Sequence, residues 1–149
     1  MKQIEKIAEA ENFTAVNFGK LSELSEYMLE ISPEIKIPGK VFGNKNLNAS
    51  GAEFSFQSFA PGTETGFLHS HKTHEELYFF LSGQGEFQVD SKVFPISEGS
   101  VVRVSPAGMR SVRNNGTQPL IMLCIQYKAG TFTVEDSTDG IISKEEVKW

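Results

Sequence analysis

Residues 69–76 bring together the side chains of this chain that are best suited to bind a metal ion. All three histidines of the protein lie here, at His69, His71 and His74, and two carboxylates follow at Glu75 and Glu76. A neutral imidazole is the commonest metal ligand among protein side chains. Two histidines and one carboxylate that meet at one point form a facial triad, which leaves coordination positions open for a ligand. The residue types therefore predict a divalent metal site.

The spacing of these residues fits two neighbouring β-strands. Side chains alternate along a strand, so His69 and His71 point the same way, with Cα atoms roughly 6.5 Å apart. The polar stretch Lys72–Glu75 can turn the chain. Glu76 then returns on an antiparallel strand and faces the two imidazoles, whereas alternation directs Glu75 toward solvent.

Two questions stay open at this cluster. His69, His71 and Glu76 either hold a metal ion or hydrogen-bond to one another around a polar ligand without a metal. His74 is either a turn residue at the edge of the pocket or a replacement ligand that swings in.

A longer pattern surrounds these residues. It reads Gly62, a gap of six residues, His69-Ser-His71, four residues, Glu76, six residues and Gly83. This pattern resembles the first motif of the cupin superfamily, in which a glycine is followed by His-x-His, a glutamate and a second glycine. Under this resemblance the second of the two adjacent carboxylates is the ligand.

A second pattern begins at Gly99 and continues with six residues, Pro106-Ala-Gly108, two residues, Ser111, three residues and Asn115. It resembles the second cupin motif, which contains Pro-x-Gly, a histidine and an asparagine. Ser111 stands where the family has the histidine that serves as fourth ligand, and its hydroxyl is a poor substitute. The resemblance covers roughly residues 52–127 and implies a three-ligand site that binds a metal weakly.

The resemblance implies an all-β fold, an antiparallel jelly-roll or double-stranded β-helix barrel, with a short N-terminal helical extension. It also implies a divalent metal ion (iron, manganese, nickel or zinc), weakly bound or absent, a small-molecule ligand and a homodimer. The family includes dioxygenases, sugar isomerases and epimerases, and decarboxylases, so the resemblance does not select one reaction.

The apolar pattern supports the fold independently. From residue 52 onward it has a period of two, which is typical of half-buried strands. The predicted strands are residues 52–59, 77–81, 86–89, 93–96, 101–104, 111–113 and 120–127. Short strands separated by Gly and Pro turns favour an antiparallel sandwich or barrel. The stretch Asn114-Asn-Gly-Thr is predicted to be a hairpin turn.

Residues 1–48 follow a different pattern. Leu21, Leu24, Met28 and Ile31 recur at helical spacing and predict an amphipathic helix, with a looser helix at residues 2–10. Such a helix is either a lid on one sheet face or an arm that exchanges with a partner subunit. The predicted organisation is a single domain over 1–149, with a helical and surface segment at 1–48, the barrel core at 52–127 and a tail at 131–149 that is an edge strand or loose. Residues 39–51 are expected to form surface turns.

Strand alternation also predicts which residues line the cavity beside the ligands. Tyr78 and Phe80 lie on the face of their strand that carries the glutamate ligand. Arg113 shares a face with Ser111, while Arg110 points the other way. An arginine directed inward clamps a carboxylate or phosphate, and the alternative for Arg113 is an ion pair with a surface acid. Two glutamines are weaker candidates: Gln57 and Gln126.

Composition limits the partners. The net charge is −5, the isoelectric point is about 5.2, and no Lys/Arg run occurs, so nucleic acid is not an expected partner. No apolar stretch approaches the roughly 20 residues of a membrane helix. The N-terminus does not resemble a signal peptide, and the single cysteine, Cys124, is expected to be a buried small hydrophobe. These features favour the cytoplasm.

Three classes of function follow as hypotheses. A metal-dependent dioxygenase or isomerase holds about one metal ion per chain, and His71, Glu76 and Tyr78 also supply the residue types that a metal-free epimerase uses. A binding or sensing module binds a small ligand without turnover. In a structural protein the cavity is vestigial. Metal analysis and ligand-induced thermal stabilisation distinguish the three classes.

Overall fold

The computed structural model describes residues 2–149, and β-strands dominate its regular structure. The strands are β1 Glu5–Ala10, β2 Phe13–Asn17, β3 Met28–Glu30, β4 Lys36–Pro38, β5 Lys40–Phe42, β6 Glu53–Phe59, β7 His74–Ser82, β8 Gln84–Val89, β9 Lys92–Ser97, β10 Val101–Val104, β11 Arg110–Arg113 and β12 Leu120–Lys128. Among the described residues, helical structure is limited to 3-10 turns at Leu21–Glu26 and Glu135–Thr138 and a short α-helix, α1, at Asn44–Leu47. Within residues 2–149, none of these helices is long and apolar enough to span a bilayer.

Two antiparallel sheets form the body of the molecule. One has five strands in the order β10-β7-β12-β6-β5, and the other has three in the order β11-β8-β9. The jelly-roll fold class is confirmed, but the two sheets do not close into a barrel. The segment that connects β6 to β7 forms isolated bridges with β11, Glu64 with Arg113 and His69 with Arg110, rather than a continuous ladder. Gly62 and Gly66, at φ 77° and 80°, turn this segment away from an extended path and so interrupt a continuous ladder.

The seven predicted strands correspond to β6 through β12, with ends displaced by a few residues. The predicted hairpin at Asn114 is wrong, because β11 pairs with β8 whereas β12 pairs with β6 and β7. The chain crosses here from one sheet to the other. The buried amide of Asn114 stabilises the crossing by donating to the carbonyls of Phe59, at 2.9 Å, and Gln118, at 2.8 Å.

The N-terminal segment contains more strand than helix, so the predicted helical extension is minor. The 3-10 turn ends at Glu26, β3 starts at Met28, and residues 5–10 form a hairpin with β2 instead of a helix. The 3-10 turn is long enough to bury Leu24 completely. Tyr27, the residue after the turn, already has an extended backbone, with φ −80° and ψ 152°. Tertiary packing has here overridden a short helical pattern.

Leu24 and Tyr27 pack with Ile121 on the outer face of the five-stranded sheet, against a rim of partly buried residues: Ile4, Val41, Phe56 and Leu81. The N-terminal segment therefore covers one sheet face, as the lid hypothesis expects. Exchange with a partner subunit stays a hypothesis. The tail from residue 131 contains the 3-10 turn Glu135–Thr138 and is otherwise irregular and exposed.

Residues 39–51 are not all surface turns, because β5 lies within them. Lys40 pairs with Gln57 and Phe42 with Ser55, which adds β5 to the edge of the five-stranded sheet. Gly39, at φ 72°, precedes the strand, and a Cβ there would lie 2.4 Å from the Ser58 carbonyl oxygen. Only glycine permits this close approach of the two strands. As a result, Lys40 and Phe42 project from one side of an edge strand.

The main core fills the space between the two sheets. Phe87 is fully buried, and its ring centroid lies 5.0 Å from that of Tyr78 and 6.1 Å from that of Phe80, both edge-on. Edge-on contacts of this kind add to the stabilisation from burial alone. The same space continues into the cavity that holds the histidine cluster.

Two glycines with left-handed backbones give a matched test of this packing. Gly83 and Gly99 have φ of 83° and 85°, but an added Cβ meets the Pro119 carbonyl oxygen at 2.4 Å only in the first case. G99A is expected to cost about 1–2 kcal/mol for the backbone alone. G83A is expected to lose about 1–3 kcal/mol more, because β12 must shift to admit the methyl group. Urea unfolding of both variants measures the difference, and equal losses would contradict the packing seen at Gly83.

Candidate metal and ligand site

A cavity of about 230 Å³ lies between the two sheets and contains the predicted metal ligands. Its walls come from β5, β6, β7, β11, β12 and residues 65–71 of the connecting segment. The functional side chains in it therefore come from several separate parts of the chain, and the fold is needed to bring them together.

His69, His71 and Glu76 converge in this cavity. One ligand atom from each lies within 4.8 Å of those of the other two, and His71 Nε2 is 3.1 Å from Glu76 Oε1. Glu76 belongs to β7, whereas the histidines lie on the connecting segment. Backbone hydrogen bonds hold that segment along β11 and the turn before it: Arg110 N donates to the His69 carbonyl at 3.0 Å, and His71 N donates to the Pro106 carbonyl at 2.8 Å.

Glu76 is buried, and hydrogen bonds from neighbouring side chains stabilise the negative charge of its carboxylate. Arg110 donates to Oε2 from Nε at 2.9 Å and from Nη2 at 2.5 Å, and the Tyr78 hydroxyl donates to the same oxygen. Burial raises the pKa of Glu76, but the hydrogen bonds from Tyr78 and Arg110 outweigh it, so the pKa is lowered overall. Glu76 is thus a carboxylate, with Oε1 facing the histidines.

Arg110 was predicted to point away from the cavity, and this prediction is wrong. Its side chain is fully buried, and Nη1 also donates to the Gly108 carbonyl at 2.8 Å. On β11 the buried face carries Arg110 and Val112, while Ser111 is half-buried and Arg113 exposed. The sequence contained a signal that Arg110 faces inward. If the histidine and asparagine positions of the second motif are aligned one residue earlier, they fall on Arg110 and Asn114.

The other sequence-predicted residues are divided between the cavity and its surroundings. Tyr78 and Ser111 line the cavity, but Ser111 also borders a shallow pocket shared with Arg113. Arg113 forms an exposed ion pair with Glu86, which is the surface alternative rather than the inward clamp. Phe80 lies in the core between the sheets.

His74 is exposed at the start of β7 and does not line the cavity, although its ring centroid is 5.8 Å from that of His71. Glu75 faces away from the cavity and pairs with Arg103 and Tyr127. Both weaker candidates, Gln57 and Gln126, line the cavity.

Lys40 is the cavity residue that sequence reasoning missed. Its Nζ lies 3.3 Å from Gln57 Oε1 and 5.4 Å from the centroid of the Phe42 ring. Burial lowers its pKa, and attraction to Glu76 opposes the shift. None of the ion pairs among residues 2–149 includes Lys40. The alternation of Lys40 and Phe42 in a strand flanked by glycines was the available signal.

The donor set fits a divalent metal ion. His69 Nδ1 is buried and has no hydrogen-bond partner among the described residues. Burial and the nearby Arg110 charge lower the pKa of His69, which favours the neutral imidazole that a metal requires. Glu76 contributes Oε1 while Arg110 holds Oε2, so the carboxylate is oriented by a second group in the manner usual for metal sites.

Comparisons with known proteins support the fold. A family described as a cupin domain matches residues 55–126. The crystal structure of a cupin protein from Bacteroides fragilis is 31% identical, with a TM-score of 0.67, and the match covers 77% of this chain and 94% of that one. This chain belongs to the cupin family. The cupin fold therefore rests on sequence and structure together.

Two curated relatives each match about half of this chain. An oxalate-binding protein from Thermotoga maritima is 32% identical over 72 residues, which is 48% of this chain and 59% of the relative. An uncharacterised protein from Methanocaldococcus jannaschii is 31% identical over 71 residues, which is 48% of this chain and 57% of the relative. The aligned region thus spans less than two thirds of the length of either curated relative.

Proposed function

We propose that this cupin holds one divalent metal ion with His69, His71 and Glu76 and binds a small organic acid beside it. The observation that carries the proposal is the convergence of these three donors in one cavity, within 4.8 Å of each other. Three protein ligands leave coordination positions open for a further oxygen donor.

The charges that line the cavity favour an anion. Lys40 and Arg110 are cationic and Glu76 is the single carboxylate in the lining. With neutral histidines the lining carries one net positive charge before any metal binds, although the protein as a whole carries −5. A cavity with this balance attracts small anions and rejects cations other than tightly coordinated ones. The name of the Thermotoga maritima relative, an oxalate-binding protein, supports the same ligand class.

The chemistry of the site favours binding over proton transfer by the chain's own residues. Bound on the triad, a divalent ion would supply Lewis-acid polarisation of a ligand oxygen. The hydroxyl of Tyr78 is already committed to Glu76, and burial raises the pKa of Tyr78, so it is poorly suited to be the acid of an epimerase. Oxidation of a small acid or an isomerisation, as in metal-dependent dioxygenases and isomerases of the family, stays a hypothesis.

A second candidate function, binding without a metal, has its own support. The ion pair of Glu76 with Arg110 and its contact with His71 neutralise the carboxylate without any ion. A cation entering next to Arg110 would also experience repulsion. In this alternative the same cavity binds an acid directly through Lys40.

Metal content decides between the two candidates. We expect purified protein to carry about one divalent ion per chain, and H71A to carry almost none, because it removes one of three ligands. H74A is the matched control, since His74 is exposed and outside the triad, and it should retain the metal. Elemental analysis of the three proteins measures this. A metal-free wild type, reconstituted with Fe, Mn, Ni and Zn in turn without uptake, would favour the second candidate.

The homodimer, the cytoplasmic location and the absence of nucleic-acid and membrane partners stay predictions.

A further inference from the structure

A second, more apolar hollow adjoins the cavity, and we refer to it as the vestibule. It has a volume of about 420 Å³ and lies between the β3–β4 hairpin, β5 and residues 64–69. Its apolar lining consists of Leu29, Ile31, Ile37, Phe42 and Phe67. The cavity and the vestibule share Lys40, Phe42, Gln57, Thr65 and His69, so the two spaces adjoin each other across these side chains.

Lys40 lies at the junction of the two spaces. Its ammonium group is partly buried, has Gln57 as its hydrogen-bond partner, and is not in any ion pair found among residues 2–149. A cation in this position can accept a carboxylate, and the resulting charge-assisted hydrogen bonds are roughly twice as strong as neutral ones.

Size favours a ligand that extends into the vestibule. Small-molecule sites usually measure about 300–1,000 Å³ and have mainly apolar walls with a few polar groups that fix orientation. The polar cavity, at about 230 Å³, is below this range, and the vestibule, at about 420 Å³, supplies the apolar walls. The exposed fractions of Ile31 and Phe67 are 61% and 50%, so their apolar surfaces are uncovered by the described chain.

The carboxylates that border the vestibule give the ligand a direction. Glu30 and Glu64 are exposed there, and Glu30 pairs with Lys36 at 2.8 Å. An anionic group would be repelled at this end and attracted toward Lys40 at the other. The uncharged part of the ligand therefore lies among the apolar side chains.

We propose that the ligand is an amphiphilic acid, with its carboxylate beside Lys40 and an apolar chain or ring in the vestibule. This inference rests on the proposed function, because it specifies the class of acid that the same site binds.

Binding of straight-chain acids tests the proposal. Acetate, butanoate and hexanoate are titrated into the full-length protein, as purified, and amide chemical shifts give the dissociation constants. Burial of a methylene contributes about 0.8 kcal/mol when complete, so we expect affinity to rise about two- to fourfold per methylene. Equal affinity for acetate and hexanoate would overturn the proposal.

Two sets of variants assign the two ends of the ligand. The double variant I31S/F67S should bind acetate as the wild type does but lose most of the gain with chain length. I7S is the matched control, since Ile7 is 64% exposed on β1 and outside the vestibule, and it should retain the gain in affinity with chain length.

K40M tests the carboxylate end of the ligand. It should weaken the affinity for hexanoate about tenfold or more and leave the affinity for hexan-1-ol unaffected. A chain-length gain that persists in I31S/F67S, or a K40M variant with normal affinity for hexanoate, would refute the proposal.

The same titrations separate this inference from the proposed function. If H71A and chelator leave acetate binding unchanged while the chain-length gain is present, the metal site is refuted and the amphiphilic ligand is supported. If acetate binds in a metal-dependent manner without any chain-length gain, the metal site is supported and the amphiphilic ligand is refuted. If none of the acids binds to the wild type, the amphiphilic ligand is refuted, whereas the metal site is still tested separately by the elemental analysis of wild type, H71A and H74A.

Discussion

R110A is expected to lower the free energy of unfolding by about 3–5 kcal/mol, because it leaves the buried carboxylate of Glu76 without its cation. Arg110 is fully buried and Glu76 is 5% exposed, so bulk water has little access to the place of the lost partner. The loss should appear as a lower urea midpoint with an unchanged denaturant slope. The effect is large because the cost is that of an unpaired buried charge, which exceeds the net stabilisation that the pair provides.

Two further variants identify the source of this loss. R113A removes a neighbouring arginine whose ion pair with Glu86 is exposed, and should cost no more than about 1 kcal/mol. R110A/E76Q removes the charge that R110A leaves behind and should recover part of the stability. If R110A proves too unstable to purify, R110A/E76Q still tests the explanation. An R110A protein as stable as R113A would show that Glu76 is not held as described.

F87A is expected to cost about 3–5 kcal/mol, the range for removal of a buried aromatic side chain. Phe87 has no exposed surface and its ring contacts those of Tyr78, Phe80 and Phe94. The surrounding rings belong to two strands, β7 and β9, which limits how far they can collapse into the space left behind. Thermal or urea unfolding measures the loss.

The control for this variant is F132A. Phe132 is 76% exposed and lies in the irregular tail, so its removal should change stability by less than about 0.5 kcal/mol. A comparable loss in the two variants would mean that the tail packs more tightly, or the core less tightly, than the structure shows.

The histidine cluster and most of the strands were predictable because their signals are local and periodic. The spacing of His69, His71 and Glu76 requires only that two strands turn back on each other. In β7, alternation counted from Glu76 correctly placed Tyr78 in the cavity. The same alternation put Phe80 on the inner face, where it packs in the core rather than in the cavity, because a period of two does not say where along a strand the cavity ends.

The failures have identifiable physical causes. On β11, either Arg110 or Ser111 can be the residue that faces inward, and the turn before the strand decides which one does. In that turn Gly108 packs closely against Val104, so that a Cβ on Gly108 would lie 2.8 Å from the Val104 side chain. The alternation of side chains along a strand does not tell which of the two alternating sets faces inward. Lys40 was missed because residues 39–51, rich in Gly and Asn, were expected to form surface turns, whereas β5 lies within them. The predicted helix does not continue beyond Leu24, because a short 3-10 turn followed by a strand accommodates the apolar residues of this pattern equally well.

The incomplete joining of the two sheets has a consequence for ligand exchange. The vestibule lies between an outer strand of one sheet, β5, and the connecting segment that borders the other. In the described chain, no ladder of backbone hydrogen bonds ties these two borders together. A guest molecule can therefore enter and leave by a small splaying of the two layers, without peeling any strand from its neighbour.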